Sequence, residues 1–432
     1  MAGRLRVSFG SSFNISEHFR LSMKKVVCLV FMDDYPWDVR VQKFITSLAG
    51  AGHAVHLVCR NLSGRPCHER TDHVTIHRLP CLKNKRLNYV ANFPAFFNPF
   101  WIWRILRVVA QHKARLIIVR DIPLVLAARL AASIRRVPLI IDMAENYPAM
   151  TRHIWEYGTA RVTDVFVRNP ILVRLVEIMS IRLADHVFVV VEESKLRLAL
   201  DGCRPEKISV LMNTPPMQTA TKPRVDSGSN SLARGAGYVA MYVGGLEHGR
   251  GLDVVLRSVP AILRELPSFR LVIVGARGAE ENLRAIATRL RINSSVVFTG
   301  WIPHREMLTL LQASDVCIIP HRPSAHTNTT IPNKLFEYMA AGKPVISSDL
   351  APVRRVIEQE GCGLILRELS PAEIVKCLRR MSDPKTRTLI GEKGRQAVLR
   401  QYNWEASETR LLDVVGRFAL RRSQRSVASA IR

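Results

Sequence analysis

Lys334 and Glu337 stand three residues apart in the stretch Pro332-Asn-Lys-Leu-Phe-Glu-Tyr-Met-Ala-Ala-Gly-Lys-Pro-Val-Ile346. On a helix that spacing sets one cation and one anion on a shared stripe. If the helix starts here, they flank first-turn amides that carry roughly half a positive charge. A phosphate is stabilised in such a place, with Lys334 as a second positive contact, whereas Glu337 suits sugar hydroxyls. A ligand that offers both within a few ångströms is a nucleotide, and a nucleotide sugar fits best. The same spacing also describes a solvated ion pair worth a few tenths of a kcal/mol.

Other residues carry related chemistry. In Val243-Gly-Gly-Leu-Glu-His-Gly-Arg-Gly-Leu252 a strand runs into Gly244 and Gly245, which let the backbone approach a phosphate, and Arg250 can neutralise it. The spacing is neither the dinucleotide fingerprint nor a Walker loop, and a glycine turn without ligand satisfies it equally. Asp121, Asp142 and Glu145 fall where apolar runs end, and open α/β sheets bind ligands beyond the carboxyl ends of their strands. Acids there also serve as loop caps. Arg40 occupies a helix start, where a cation is locally unfavourable, which makes it a candidate for an acidic ligand.

These residues need elements to hold them. Thr329 and Thr330 can cap the Lys334 helix, Pro332 is tolerated in its first turn, and Gly342 with Pro344 ends it, so a helix of about three turns is expected. Strands are expected at 25–31, 54–59, 74–79, 116–119, 138–141, 186–191 and 208–211, then at 270–274, 295–299, 315–319, 345–348 and 363–366, with helical patterns between them. That alternation is how parallel α/β sheets are written. The expected division is a tail over 1–23, an acceptor-binding Rossmann-like domain over 24–216, and a Ser/Thr/Gly-rich linker over 217–237. A donor-binding Rossmann-like domain over 238–402 and a C-terminal helix with a basic tail over 403–432 follow.

With 432 residues, 47% hydrophobic and 23% charged, the chain is globular and long enough for two cores. A formal charge of +27 favours phosphate-rich ligands, nucleic acid or an anionic membrane surface. No zinc-finger, homeodomain or RNA-recognition signature occurs, so no nucleic-acid partner is expected. The eight cysteines are scattered without ligand spacing, which reads as reduced thiols in a cytoplasmic protein, with no structural metal. No apolar run is long enough to span a bilayer.

Residues 86–110 gather Tyr89, Phe93, Phe96, Phe97, Phe100, Trp101 and Trp103 beside Arg104 and Arg107. Rings beside cations suit a membrane interface, and equally a helix packed on its own sheet. Residues 162–183 form a second basic, apolar stretch, read as a core helix with solvated arginines in preference to a wider basic face.

The ordered set Val243-Gly-Gly-Leu, Gly249-Arg-Gly-Leu252, Leu271-Val-Ile-Val-Gly275, Val297-Phe-Thr-Gly300, Ser314-Asp-Val316 and Pro332-Asn-Lys-Leu-Phe-Glu-Tyr338 resembles the retaining glycosyltransferases of family four, glycosyltransferase group 1. Asp38-Val-Arg40, Arg120-Asp-Ile-Pro123, Asp142-Met-Ala-Glu145 and Leu211-Met-Asn213 extend the likeness into the first half. The resemblance implies a GT-B fold, two Rossmann-like doubly wound domains facing a central cleft, with the C-terminal helix crossing back to the first. It places Glu337 on the nucleotide ribose, Arg250 and Lys334 on the donor diphosphate, and the backbone of Thr329, Thr330 and Ile331 at the phosphates and sugar. The chain departs from it at Thr329, where many members have a second acid, at Gly245, where many have Arg, and at Ala144 and Arg120, where histidines are frequent.

The expectation is therefore a metal-independent hexosyl transfer from a nucleotide-diphosphate sugar to a hydroxyl acceptor, with retention. Asp121, Glu145, Arg250 and Lys334 are its catalytic residues, and Gly244, Gly245, Thr329, Thr330, Ile331, Glu337 and Arg40 bind substrate. No cofactor beyond the donor is expected. A lipid-linked or polysaccharide precursor at the inner membrane face is the expected acceptor. The alternatives are a nucleotide-sugar 2-epimerase and a non-catalytic nucleotide-sugar-binding protein.

Overall fold

The computed structural model describes residues 25–93, 96–156, 169–221, 237–276 and 278–430. The expected tail over 1–23 and most of the expected linker, 222–236, lie outside them, as does 162–168 of the second basic stretch. Among the described residues there are two sheets. The first has eight strands in the order β3-β4-β2-β1-β5-β6-β7-β8. They are β1 (Val26–Phe31), β2 (Ala54–Cys59), β3 (His68–Arg70), β4 (Thr75–Arg78), β5 (Leu116–Arg120), β6 (Leu139–Met143), β7 (His186–Val189) and β8 (Ile208–Val210). The short β3, antiparallel to β4, carries no apolar alternation and was not legible in the sequence.

The second sheet runs β11-β10-β9-β12-β13-β14, with every pair parallel. Its strands are β9 (Tyr238–Val243), β10 (Phe269–Val274), β11 (Val296–Gly300), β12 (Val316–Ile319), β13 (Val345–Ser347) and β14 (Gly363–Ile365). Both faces are covered by helices, so these strands read as continuous apolar runs instead of alternating ones. Both sheets have the doubly wound α/β architecture expected from the alternation of strand and helix.

The described chain forms two compact units, one of the residues up to Ile140 with those from Leu412 onward, the other Ile141–Leu411. The expected limits, 24–216 and 238–402, follow the order of strands along the chain instead.

In the second unit, strand order reverses between β9 and β12, because β9 leads to β10 on one side and β12 flanks it on the other. A crevice opens at such a switch point, beyond the strand carboxyl ends. Those ends are Gly244 and Pro320.

The helix Lys334–Ala340 is seven residues long, two turns and not three. Leu335, Phe336, Tyr338, Met339 and Ala340 are all buried, so five of seven side chains lock it to the sheet. The Tyr338 hydroxyl accepts the Val243 N–H at 2.8 Å, tying the helix to the end of β9. Gly342 ends it in the left-handed region at φ 67°. Just beyond, the helix Pro384–Arg400 passes so close that a Cβ on Gly391 would lie 2.0 Å from the Gly342 carbonyl oxygen.

One expectation about packing changes, and of the two readings left open for the aromatic segment the packed one holds for part of it. The helix Pro170–Leu183 turns Val173, Glu177 and Ile181 inward and leaves Ile171, Leu172, Leu175, Met179 and Leu183 exposed, so it is not a core helix with a polar outer face. Charge pairing sets its orientation: Glu177, fully buried, takes Arg197 in a two-pronged pair at 2.5 and 3.0 Å, and Arg174 reaches Asp201 at 2.6 Å. In the aromatic segment Trp101, Ile105 and Val108 are core, while Tyr89, Phe97, Phe100 and Trp103 are exposed. All eight cysteines are free.

Candidate functional site

The second unit's site is built first from main chain. Gly244 closes β9 with φ 135°, its N–H bonded to the Val274 carbonyl at 2.9 Å. Gly275, at φ 146°, lies against it: a Cβ there would fall 1.9 Å from the Gly244 oxygen. The Tyr242 hydroxyl donates to the Gly245 carbonyl at 2.7 Å and fixes the turn. Gly251, at φ 67°, presses on the end of β12, since a Cβ would meet the Pro320 carbonyl at 2.0 Å. That approach carries Arg250 to His321, the second residue after β12.

Arg250 and Lys334 flank one buried imidazole. The Arg250 Nη1 is 3.4 Å from His321 Nδ1, and the Lys334 Nζ is 3.4 Å from His321 Nε2. Lys334 also lies 4.0 Å from the Tyr242 ring centroid, in a cation–π position, and a Cβ on Gly244 would come within 2.6 Å of its Nζ. Burial, then the Arg250 charge, holds the Lys334 ammonium well below the usual lysine range, with Glu247 and Glu337 opposing. Burial, then Lys334 and Arg250, likewise holds His321 well below the usual histidine range, so the ring is neutral. Arg250 donates from Nε to Glu247 at 2.9 Å, and although burial opposes it, the hydrogen bond and charge of Arg250 keep that carboxyl below its ordinary range. Two cations crowd a small volume, with one exposed carboxylate, Glu247, bonded to Arg250. An anion with oxygens on both relieves that repulsion.

The helix start contributes less than expected. Leu335 and Phe336 donate their N–H groups to the carbonyls of Pro332 and Asn333 at 3.0 and 3.1 Å, so these first-turn amides are already engaged. Thr329 and Thr330 do not cap the helix; their hydroxyls bond back to the carbonyls of Ala325 and His326 at 2.7 and 2.9 Å. The intervening Ile331 is buried in the core, which turns the two threonines out of capping reach. The positive charge here thus rests on side chains. Glu337 stays open, its side chain 27% exposed, 3.8 Å from His304 Nε2 and lining a small cavity with Ala341 and Arg395.

Glu145 is brought to the same loop. It pairs with His326 at 3.4 Å, its neighbour Asn146 donates to the Thr329 hydroxyl at 2.8 Å, and Ser194 donates to the Thr329 carbonyl. Arg250, Lys334, Gly244, Gly245, Glu337, Thr329, Thr330, Ile331 and Glu145 therefore all belong to the second unit. Asp121 and Arg40 belong to the first. Asp121 follows β5 with φ 67°, is nearly buried, and accepts from Arg120 at 2.9 Å. Arg40 is buried with its guanidinium over the Phe44 ring at 5.3 Å.

Sequence reasoning missed Tyr242, Glu247, His321 and His326. His321 was within reach, because it follows a strand end as Asp121 and Glu145 do. Tyr242 lies inside an apolar run, where nothing separates a core ring from one that seats a lysine.

Two family models match the chain: "Glycosyl transferases group 1" over residues 237–383 and "Glycosyl transferase 4-like domain" over 38–214. Among curated relatives, the D-inositol 3-phosphate glycosyltransferase of Acidothermus cellulolyticus is 26% identical over 51% of this chain and 50% of its own length. A GDP-mannose-dependent phosphatidylinositol monomannoside mannosyltransferase of Corynebacterium glutamicum is 25% identical over 38% of this chain and 44% of its own. The chain thus spans about half the length of the curated relatives it matches. Sucrose-phosphate synthase from Thermosynechococcus elongatus superposes with a TM-score of 0.70 at 18% identity, over 91% of this chain and 98% of that one. The Anabaena protein HepE, solved with UDP-glucose, does so at 0.67 and 13% identity, over 90% and 99%. At these identities the structures establish the GT-B fold.

Proposed function

This chain belongs to the group 1 glycosyl transferases, and we propose that it moves a sugar from a nucleotide-diphosphate donor to a hydroxyl acceptor with retention at the anomeric carbon. The observation that carries the reading is the pair of cations, Arg250 and Lys334, held 3.4 Å on either side of His321 at a strand switch point. Charge develops on the diphosphate as its bond to the sugar breaks, and cations already in place stabilise it without reorganising. Gly244 and Gly245 let the backbone approach that group, and Glu337 takes the ribose hydroxyls. Glu145 and Asp121 serve the acceptor side, and Thr329 to Ile331 border the donor sugar.

The test is a thermal-shift series with UDP, GDP and their sugar conjugates, followed by product analysis with and without an acceptor. A nucleotide diphosphate that raises the melting temperature, and a donor sugar transferred to an added hydroxyl compound, support the reading. An epimer formed from donor alone points to a 2-epimerase, and binding without transfer across an acceptor panel to a non-catalytic binder. No response to any nucleotide refutes the site.

The acceptor side of the proposal is a lipid-linked or glycoconjugate precursor at the cytoplasmic membrane face. No described helix is long and apolar enough to cross a membrane. The helix Lys85–Asn92 exposes Leu87, Tyr89 and Val90 beside Lys85 and Arg86, and Phe97, Phe100 and Trp103 follow, with Arg107 5.4 Å from the Trp103 ring. Rings at headgroup depth and cations on anionic lipid suit such a surface. Flotation with phosphatidylglycerol vesicles at low and high salt is the measurement. Salt-sensitive capture, lost in a Phe97→Ser, Trp103→Ser double variant, supports peripheral binding, and no capture at low salt removes it.

A further inference from the structure

The first unit holds a histidine cluster that the transfer reaction does not use. His56 and His77 are each the third residue of their strands, β2 and β4. These strands are parallel neighbours with His56 opposite Thr75 and Val58 opposite His77, so both imidazoles rise from one face of the sheet. His56 Nδ1 lies 2.9 Å from His77 Nε2. His112, which follows the helix Pro99–Gln111, stacks on His56 with centroids 3.9 Å apart and stands 5.1 Å from His77. His68 on β3 meets His77 edge-on at 5.1 Å.

One ring nitrogen from each of His56, His77 and His112 lies within 4.8 Å of the others. Beside them opens a cavity of about 850 Å³, whose lining also includes His53, His73 and Asp72. Both histidine strands enter this region at their amino ends, the side of an open α/β sheet away from the crevice that takes nucleotides.

We propose that His56, His77 and His112 bind a divalent first-row transition-metal ion, with a water or His68 completing its shell from the open side. Imidazole nitrogens are borderline ligands suited to Zn²⁺, Co²⁺ and Ni²⁺. At metal–nitrogen distances of about 2.0–2.1 Å, tetrahedral ligand nitrogens lie roughly 3.3 Å apart. The closest pair, hydrogen-bonded at 2.9 Å, must part by a few tenths of an ångström, and nitrogens up to 4.8 Å apart must close, which ring rotation of His112 at its half-open helix end supplies. An imidazole ligates through a lone pair, so the proton shared between His56 Nδ1 and His77 Nε2 must leave as the ion enters. The nearby Arg70 and Arg104 oppose a cation and set the affinity below that of a site with carboxylates. The ion's role is to pin the end of the Pro99–Gln111 helix to the sheet.

The test uses the untagged full chain, stripped with chelator and titrated with Co²⁺ by visible absorbance and with Zn²⁺ against a chromophoric chelator. The expected result is one equivalent bound, a raised melting temperature, and at least tenfold weaker binding in His112→Asn and in His56→Asn. His73→Asn, whose residue lines the cavity outside the cluster, binds as the parent does. His112 is partly exposed, so its variant decides the matter if His56→Asn does not fold. No binding above that of the His56, His77, His112 triple variant overturns the proposal, and so does unchanged binding in His112→Asn.

Discussion

Replacing Lys334 by methionine separates what that side chain does for the ligand from what it does for the fold. Methionine keeps an unbranched stem on the Tyr242 ring and removes the ammonium that stands 4.0 Å from its centroid. A charge-assisted hydrogen bond contributes about 1.5–3 kcal/mol, and bare attraction at 4 Å is capped near 4 kcal/mol at an effective dielectric of about 20. At 1.4 kcal/mol per decade, UDP or GDP affinity should fall roughly 10- to 150-fold. Stability should move the other way. Lys334 is held well below the ordinary lysine pKa of 10.5 in the folded chain. Such a base binds its proton less tightly folded than unfolded, so it destabilises the fold at low pH, and that penalty is relieved as pH rises from the folded pKa toward 10.5. Lys334→Met should thus melt at or above the parent temperature near neutrality, and the gap should close in alkali. Calorimetric titration with the nucleotide, beside melting curves over a pH series, reads both. An affinity within threefold of the parent, or a variant markedly less stable at neutral pH, refutes the reasoning.

Glu337→Ala should weaken nucleotide-sugar binding far more than it lowers the melting temperature; unchanged turnover and KM would dismiss its ribose role. Gly275→Ala should cost about 3 kcal/mol or more, because its Cβ meets the Gly244 carbonyl at 1.9 Å on a left-handed backbone, and denaturant unfolding measures it. Glu177→Ala should cost about 3–5 kcal/mol by leaving Arg197 without its buried partner, and a chemical melt shifted by under 1 kcal/mol would count against that pairing.

Strands were legible because parallel ones buried on both faces are written as unbroken apolar runs; β1, β2 and β10 fall within a residue of expectation. Arg250, Lys334 and Glu337 were legible as charges at glycine turns and helix starts. The first-turn geometry was not, because Ile331 turns inward and engages the capping threonines elsewhere, a tertiary effect without local signature. The inward face of Pro170–Leu183 was missed for a similar reason. A periodicity argument puts leucines inside, and only Arg197, twenty residues beyond Glu177, shows that this acid goes in, with Asp201 holding Arg174 from further along the chain. The histidines 56, 77 and 112 lie 21 and 35 positions apart, at no ligand spacing; strand register joins the first two, and the end of the helix Pro99–Gln111 brings the third.

The close passage at Gly391 has a consequence well away from where it occurs. A rod of two turns has no length over which to dissipate a shove, so displacement at its tail arrives undiminished at Lys334. A larger side chain at position 391 would therefore present as poor donor affinity, more than fifty residues from the defect, and would be mistaken for damage to the chemistry itself.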